Sequence, residues 1–148
     1  KKTFINKKEY QFEGSIIDKK LDKEFILKTA FLFLNAPHFL GGKTPFGIDS
    51  CGFTQMVYKL CGHKLLRKVN QQASQGDVLS FIEESEPGDL AFFDNAEGVI
   101  THVGIIMEDN YIIHAHGEVR VDRLDHSGIY NVHKRTHTHK LRVIKKVI

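Results

Sequence analysis

The stretch that decides the fold is THVGIIMEDNYIIHAH, residues 101–116. Its two apolar runs, 101–107 and 111–116, are rich in β-branched residues and flank the polar tripeptide Glu108-Asp109-Asn110. Apolar segments of this length, separated by turn-forming residues, are typical of two strands joined as an antiparallel hairpin. The sequence therefore predicts a hairpin whose register depends on the length of the loop.

The loop length decides where two histidines of the hairpin point. With a three-residue loop, Gly104 lies opposite His114 and His116 lies opposite His102. His102 and His114 are then diagonal neighbours on one face, about 7–8 Å apart between backbones. Gly104 has no side chain, which leaves the imidazole of His114 room to lean towards His102. A two-residue loop would place these histidines on opposite faces.

Helical patterns precede this hairpin. Apolar residues at helical spacing predict a helix over 21–35, stopped by Pro37, and a second over 50–60 with Asp49 as its N-cap. Short helices are predicted at 71–75 and 78–83, and further strands at 90–93, 118–124 and 141–148. Helices followed by a run of antiparallel strands indicate an α+β domain in which N-terminal helices pack on a sheet of about five to six strands.

The bulk properties indicate a globular domain. A chain of 148 residues can bury a sizeable core. We interpret residues 1–15 as a linker or the remnant of a preceding domain, and residues 16–148 as the folded domain. A net charge of +3 without an aromatic-rich basic stripe gives no support for nucleic-acid binding. The apolar run 25–34 is too short to span a bilayer, so no membrane span is predicted.

One of the two cysteines, Cys51, lies in the first turn of the second predicted helix. Unpaired N–H groups and the helix dipole at such a position lower a thiol pKa and can bind an oxyanion. Cys51 is therefore the candidate nucleophile, with His102 as its base and His114 as the group that orients the base. His116 is an alternative orienting group. Cys61 is interpreted as a buried structural thiol.

The other histidines raise the possibility of a metal site. His137 and His139 fall on one face of a strand, an arrangement that can suit zinc. They and His133 approach the hairpin histidines only if the strands pair suitably, and no third ligand has a recognisable spacing. The segment 133–139 is interpreted as an exposed polar loop, and neither a metal nor another cofactor is predicted.

Several motifs together resemble the NlpC-type family of papain-like bacterial cell-wall peptidases. The resemblance covers about residues 16–148 and rests on NAPHFLGG (35–42), GID (47–49), GFTQ (52–55), PGDLAFF (87–93), HVGI (102–105) and IHA (113–115). It implies a cysteine endopeptidase that hydrolyses amide bonds of murein stem peptides, often after γ-D-glutamate. It also implies that Asp49 binds the free amine of the substrate. An extracytoplasmic location and an N-terminal accessory domain in the full-length protein are expected.

The chain departs from the family at the nucleophile. The family pattern is Asp-Cys-Ser-Gly, whereas this chain has Asp49-Ser50-Cys51-Gly52. Ser50 thus occupies the nucleophile's place, and Cys51 is rotated about 100° around the helix from it. Ser50 with His102 could form a weaker hydroxyl nucleophile. The alternative function is a catalytically inactive murein-binding module on the same scaffold; an acyltransferase with the same thiol chemistry is a third candidate.

Overall fold

A computed structural model describes all 148 residues of the chain. The helices are α1 (Glu24–Ala30), α2 (Ser50–Leu60) and α3 (Val69–Ala73). The strands are β1 (Lys2–Ile5), β2 (Lys8–Gln11), β3 (Lys43–Thr44), β4 (Gly47–Ile48), β5 (Asp77–Leu79), β6 (Leu90–Asp94), β7 (Ile100–Ile106), β8 (Tyr111–His116), β9 (Glu118–Asp125), β10 (Gly128–Asn131) and β11 (Thr136–Lys146).

The main sheet has seven strands in the order β10-β9-β8-β7-β6-β11-β5, and every pairing is antiparallel. An additional pairing of β10 with β11 closes the sheet on itself. The predicted α+β class with N-terminal helices on an antiparallel sheet is confirmed. The sheet has one or two more strands than expected, because β5 and β10 are short and carry weak sequence signals.

The apolar core lies on both faces of this sheet. On one face, the buried side chains of Phe53, Val57 and Tyr58 from α2 pack against residues such as Val103 and Ile113 of the hairpin. The opposite face carries a second cluster, composed of Ala91, Phe93, Ile106, Ile112, Leu124, Ile129 and Ile144. The first cluster fixes the start of α2 against the hairpin, and so positions the candidate site.

The hairpin register is as predicted. Gly104 pairs with His114, and the backbone N–H of Met107 donates to the carbonyl of Tyr111. The tripeptide between the strands is a single 3-10 turn in which Asp109 and Asn110 have φ values of 56° and 60°. Aspartate and asparagine tolerate this left-handed conformation better than other non-glycine residues, which explains the three-residue loop.

Three predicted elements differ from the structure. The predicted helix at 78–83 is wrong: Leu79 belongs to β5 and pairs with Ile144 of β11, and only a 3-10 turn follows at Ile82–Glu84. The first helix is shorter than expected and continues as a 3-10 turn over Phe31–Phe33. The last strand begins at Thr136, not at residue 141, because β10 supplies a pairing partner for its first half.

The N-terminal segment forms a separate two-stranded hairpin. Strands β1 and β2 pair antiparallel, and all their residues are exposed. Its interpretation as a linker or the remnant of a preceding domain stays a prediction. No helix of the structure has both the length and the apolar character that crossing a membrane requires.

Candidate active site

The start of α2 is held by polar contacts on both sides. The carboxylate of Asp49 caps the helix, since its Oδ1 accepts a hydrogen bond of 2.6 Å from the N–H of Gly52. The fully buried side chain of Gln72 donates to the carbonyl of Cys51 at 2.9 Å and accepts from the hydroxyl of Thr54 at 2.7 Å. These contacts hold the first turn, which carries Ser50 and Cys51, in a fixed position. Gln72 was not identified from the sequence.

Across from this turn, three buried side chains form a continuous hydrogen-bonded chain. Nε2 of His102 lies 2.8 Å from Nδ1 of His114, and Nε2 of His114 lies 2.9 Å from Oδ2 of Asp122. The guanidinium of Arg120 donates to both carboxylate oxygens of Asp122 at 2.7 and 3.0 Å. The structure thus brings together the predicted pair His102 and His114. It adds Asp122, which the sequence analysis missed.

The charge of Asp122 fixes the direction of every hydrogen bond in this chain. Burial alone would raise the pKa of Asp122, but hydrogen bonds from His114 and Arg120 hold it at about 2. An ionised carboxylate only accepts, so His114 carries its proton on Nε2 and accepts at Nδ1. His102 must then donate from Nε2. Its Nδ1 keeps a free lone pair, which is the form a general base needs.

Burial keeps both imidazoles neutral near pH 7. Desolvation is the main reason that the pKa of His102 lies well below 6.5, and neighbouring imidazoles lower it further. Desolvation also lowers the pKa of His114, although Asp122 opposes that effect. A neutral His102 can accept a proton without first losing one, so this arrangement can act as a base at neutral pH.

Cys51 has a different environment from the one expected. Its Sγ lies 3.1 Å from a guanidinium nitrogen of Arg67 and 3.5 Å from Oδ1 of Asp49. Burial, followed by the charge of Asp49, raises its pKa above the ordinary value, so the expectation of a lowered thiol pKa is wrong. Arg67 lowers this pKa but does not outweigh these two effects. No hydrogen bond joins Cys51 or Ser50 to His102, although all three line one cavity.

The Asp49 carboxylate is already saturated with donors. Besides the cap, it accepts from the N–H of Gly41 at 2.8 Å and forms an ion pair of 3.3 Å with Arg67. Burial opposes ionisation, but these donors lower its pKa overall. Arg67 already supplies a cation to this carboxylate, so a substrate amine would compete with it for the role that the resemblance implied for Asp49.

A cavity of about 550 Å³ connects these groups. Its wall includes Ser50 and Cys51 from α2, His102 from β7, the half-buried side chain of Arg67 and the exposed side chain of Lys68. The N–H groups of the first helical turn have no acceptors within the helix. One of them, that of Gly52, donates to the capping carboxylate of Asp49. The cavity thus combines a hydroxyl, a thiol, an imidazole and backbone donors, which are the components of acyl transfer to a protein nucleophile.

Two further histidines surround His102. The ring of His139 stacks on it, with centroids 4.1 Å apart, and the ring of His116 lies 6.4 Å from it. His116 has no hydrogen bond to His102, whereas His114 does. His139 was expected near the hairpin histidines only if the strands paired suitably, and its segment, residues 133–139, was interpreted as an exposed polar loop. His139 belongs to β11, which lies beside β6 and therefore one strand from His102.

A helix start that faces a strand-borne imidazole across a cavity is the architecture of papain-like hydrolases. The model of the NlpC/P60 family matches residues 35–140, and the chain belongs to this family. The resemblance inferred from the motifs is therefore confirmed.

Two of the relatives are named as peptidases. The chain is 32% identical over 94 residues to a gamma-D-glutamyl-L-lysine dipeptidyl-peptidase of Bacillus subtilis, a match that covers 62% of this chain and 31% of that protein. It is 35% identical over 104 residues to the probable endopeptidase p60 of Listeria seeligeri, covering 70% of this chain and 20% of that protein. The chain thus spans about a third or less of these relatives.

Solved structures share the fold. The NlpC/p60 domain of the peptidoglycan hydrolase SagA superposes with a TM-score of 0.63 at 29% identity, covering 70% of this chain and 90% of that one. RipD of Mycobacterium tuberculosis, described as a non-catalytic NlpC/p60 domain protein adapted to peptidoglycan binding, has a TM-score of 0.64 at 19% identity, with coverages of 85% and 97%. At that identity, RipD shows the shared fold alone.

Proposed function

We propose that this domain hydrolyses an amide bond of murein stem peptides, on the carboxyl side of γ-D-glutamate, with Ser50 as the attacking group. His102 takes the proton of the Ser50 hydroxyl and gives it to the leaving amine, and it then takes a proton from the water that hydrolyses the resulting acyl ester and frees Ser50. His114 and Asp122 hold His102 in the tautomer that this role requires. The observation that carries the proposal is the buried hydrogen-bonded chain from His102 through His114 to Asp122.

The free-energy cost of burying the hydrogen-bonded series from His102 to Asp122 supports a catalytic role. Asp122 and both imidazoles are buried, and burial of a carboxylate destabilises a fold unless donors compensate it. Apolar residues at these positions would extend the neighbouring core cluster without the free-energy cost of burying a charge. A domain that only bound murein would have no use for a neutral imidazole that is held in one tautomer on the wall of a cavity.

Ser50 is favoured over Cys51 by position and by contacts. Ser50 is the first residue of α2, directly after the cap, which is the place of the nucleophile in the family pattern. The thiol of Cys51 is instead engaged by Arg67 and Asp49, and its raised pKa disfavours the thiolate. If Cys51 is the nucleophile, its side chain must leave both partners during the reaction.

The substrate class is supported by the relatives and by charge. The Bacillus subtilis relative is named for the γ-D-glutamyl-L-lysine bond. Murein stems carry free carboxylates, and Lys68 is an exposed cation on the cavity wall without an ion-pair partner. A cell-envelope location follows from the same substrate class, and fractionation of cells that produce the full-length protein tests it.

A silent murein-binding module is the second candidate. It is favoured by the absence of a hydrogen bond from either Ser50 or Cys51 to His102. In this case the cavity binds stem peptides but does not cleave them.

Hydrolysis of defined peptides by matched variants distinguishes these possibilities. The native protein, Ser50→Ala, Cys51→Ala and the double variant Ser50→Cys/Cys51→Ser are incubated with free stem peptides and with crosslinked wall, and the fragments are identified by mass. We expect products from the native protein, none from Ser50→Ala, and retained products from Cys51→Ala. The double variant restores the family order, and we expect its rate to be at least tenfold higher, since thiols are stronger nucleophiles.

Two other patterns of products would contradict the proposed role of Ser50 or the hydrolytic activity. Loss of products only in Cys51→Ala would overturn the role of Ser50 and support the thiol. Products from the double variant alone, with binding of wall by the native protein, would support the silent module.

A further inference from the structure

Four histidines from three strands converge beside the proposed active site. His102 lies on β7, His114 and His116 on β8, and His139 on β11. Their rings form a compact group: His139 stacks on His102 at 4.1 Å, lies 5.7 Å from His114, and lies 4.8 Å from His116. Catalysis as proposed above uses only His102 and His114, so the other two rings need an explanation.

Nitrogen atoms of three of these rings lie close together. One nitrogen each of His102, His114 and His139 lies within 4.8 Å of the other two. Nδ1 of His139 is engaged by the hydroxyl of Thr138 at 2.8 Å, which leaves Nε2 as its available ligand atom. We propose that His102, His114 and His139 bind a divalent transition-metal ion, for which Zn²⁺ is the best match.

The ligand set fits this ion chemically. Zn²⁺ is bound by neutral imidazole nitrogens at about 2.0–2.1 Å, and three histidines with one open position form a well-known type of site. Metal-bound histidines usually donate their other N–H to a carboxylate, which fixes the ring. His114 has this arrangement already, since its Nε2 lies 2.9 Å from the buried carboxylate of Asp122.

Binding requires the three imidazoles to rearrange. Ligands in a tetrahedral zinc site lie about 3.4 Å apart, as follows from the zinc–nitrogen distance. The nitrogens of His102 and His114, now 2.8 Å apart, must separate slightly, while His139 must move inwards. His139 is only partly buried, so rotation of its ring about χ2 can bring its nitrogen into range.

The metal would stop the proposed reaction, a consequence that rests on the proposed function. Zn²⁺ on Nε2 of His102 replaces the proton that this nitrogen donates to His114. The neutral ring then carries its proton on Nδ1, the nitrogen that must otherwise accept from the nucleophile. Metal binding and base catalysis are therefore mutually exclusive, and the histidine group is an inhibitory metal site.

Metal binding is measured directly, without hydrolysis as the readout. Competition with a chromophoric chelator for Zn²⁺ at pH 7.5 is carried out in a Cys51→Ser background, which removes the thiol as a ligand. We expect one Zn²⁺ per chain. His139→Phe keeps an aromatic ring for the stack but no ligand, and we expect at least tenfold weaker binding. His126→Ala, at an exposed histidine outside the group, is the control and should bind as the parent does.

A second variant tests the carboxylate. Asp122→Asn should weaken Zn²⁺ binding about 10–100-fold, the usual loss for such a partner. Less than half an equivalent of bound Zn²⁺, or equal affinity in the parent and His139→Phe, would overturn the proposal. If hydrolysis is observed, Zn²⁺ should inhibit it, and a chelator should reverse the inhibition in the parent but have little effect in His139→Phe. Failure of the proposed function leaves the binding measurements intact, so the two can fail separately.

Discussion

The imidazole rings of His102 and His139 stack with their planes inclined by 28°, although 37 positions separate them in the chain. Both rings lie against Phe93, at centroid distances of 5.8 and 6.0 Å. Protonation of both imidazoles would place two positive charges in contact at a largely buried position, so this arrangement favours the uncharged rings. The free energy of unfolding therefore depends on pH through this contact.

The first prediction concerns stability in acid. Burial, followed by the neighbouring imidazoles, lowers the pKa of His139 to about 4, and burial also lowers those of His102, His114 and His116. The unfolded chain, with pKa values near 6.5, binds more protons between pH 4 and 6.5, so the free energy of unfolding falls as the pH drops through this range. For His139 alone we expect a loss of about 1 kcal/mol by pH 5, discounted for its partial exposure.

Urea unfolding at pH 7.5 and pH 5 measures this loss. His139→Phe keeps the stack without the titrating group and should show a smaller drop in unfolding free energy. Identical drops in the two proteins would contradict the assignment.

The second prediction concerns the tautomer of His102. In Asp122→Asn, the amide can donate to Nε2 of His114, which reverses both hydrogen bonds and leaves Nδ1 of His102 protonated. We expect hydrolysis to fall on the order of 10²–10⁴-fold, with a changed pH profile. Asp125→Asn is the matched control, because Asp125 accepts from His137 at 2.8 Å at the exposed surface. Equal rates in the two variants would show that Asp122 does not act through the histidines.

The third prediction concerns the thiol of Cys51. Because its pKa is raised, alkylation by iodoacetamide should be slow at pH 7 and should still accelerate above pH 9. Arg67 partly offsets the rise, so Arg67→Gln should move the profile to still higher pH. Peptide mapping separates Cys51 from the fully buried Cys61, which should remain unlabelled in the folded protein. Rapid labelling at neutral pH would instead support Cys51 as the nucleophile.

The fourth prediction concerns the space that Gly104 provides. A Cβ at this position would lie 2.7 Å from Cδ1 of Ile112 and 3.0 Å from Cβ of His114. Gly104→Ala should therefore lower the free energy of unfolding by about 1–3 kcal/mol and displace His114. Adding Ile112→Val removes Cδ1, the nearest of these atoms, but leaves a γ carbon at the 2.9 Å position of Cγ1 and the contact with His114. The double variant should regain only part of the stability, as measured by urea unfolding, and not the rate of hydrolysis; recovery of that rate would contradict this account.

The local features of the site could be predicted from the sequence. The three-residue loop fixed the register of Gly104 and His114, because strand side chains alternate with a period of two and one step reverses every face. The Asp49 cap was equally predictable, since an aspartate before an amphipathic helix satisfies free N–H groups of its first turn.

The features that depend on distant strands could not be predicted in this way. Asp122 completes the hydrogen-bonded chain only because β9 pairs with β8 in a register that makes it the diagonal neighbour of His114. His139 reaches His102 only because β11 inserts beside β6 and also pairs with β10. Nothing in the spacing of these residues encodes such non-local pairings.

The sequence by itself determined the family, the α+β class, the hairpin register and the identity of the nucleophile candidates, because each depends on neighbours along the chain. Only the tertiary structure decided which charges surround them. Through space, Asp49 raises the pKa of Cys51 and Arg67 lowers it. The pairing of the strands into one sheet brings four imidazoles close together. Electrostatic energies depend on distance and burial in three dimensions, and these quantities exist only after the chain has folded.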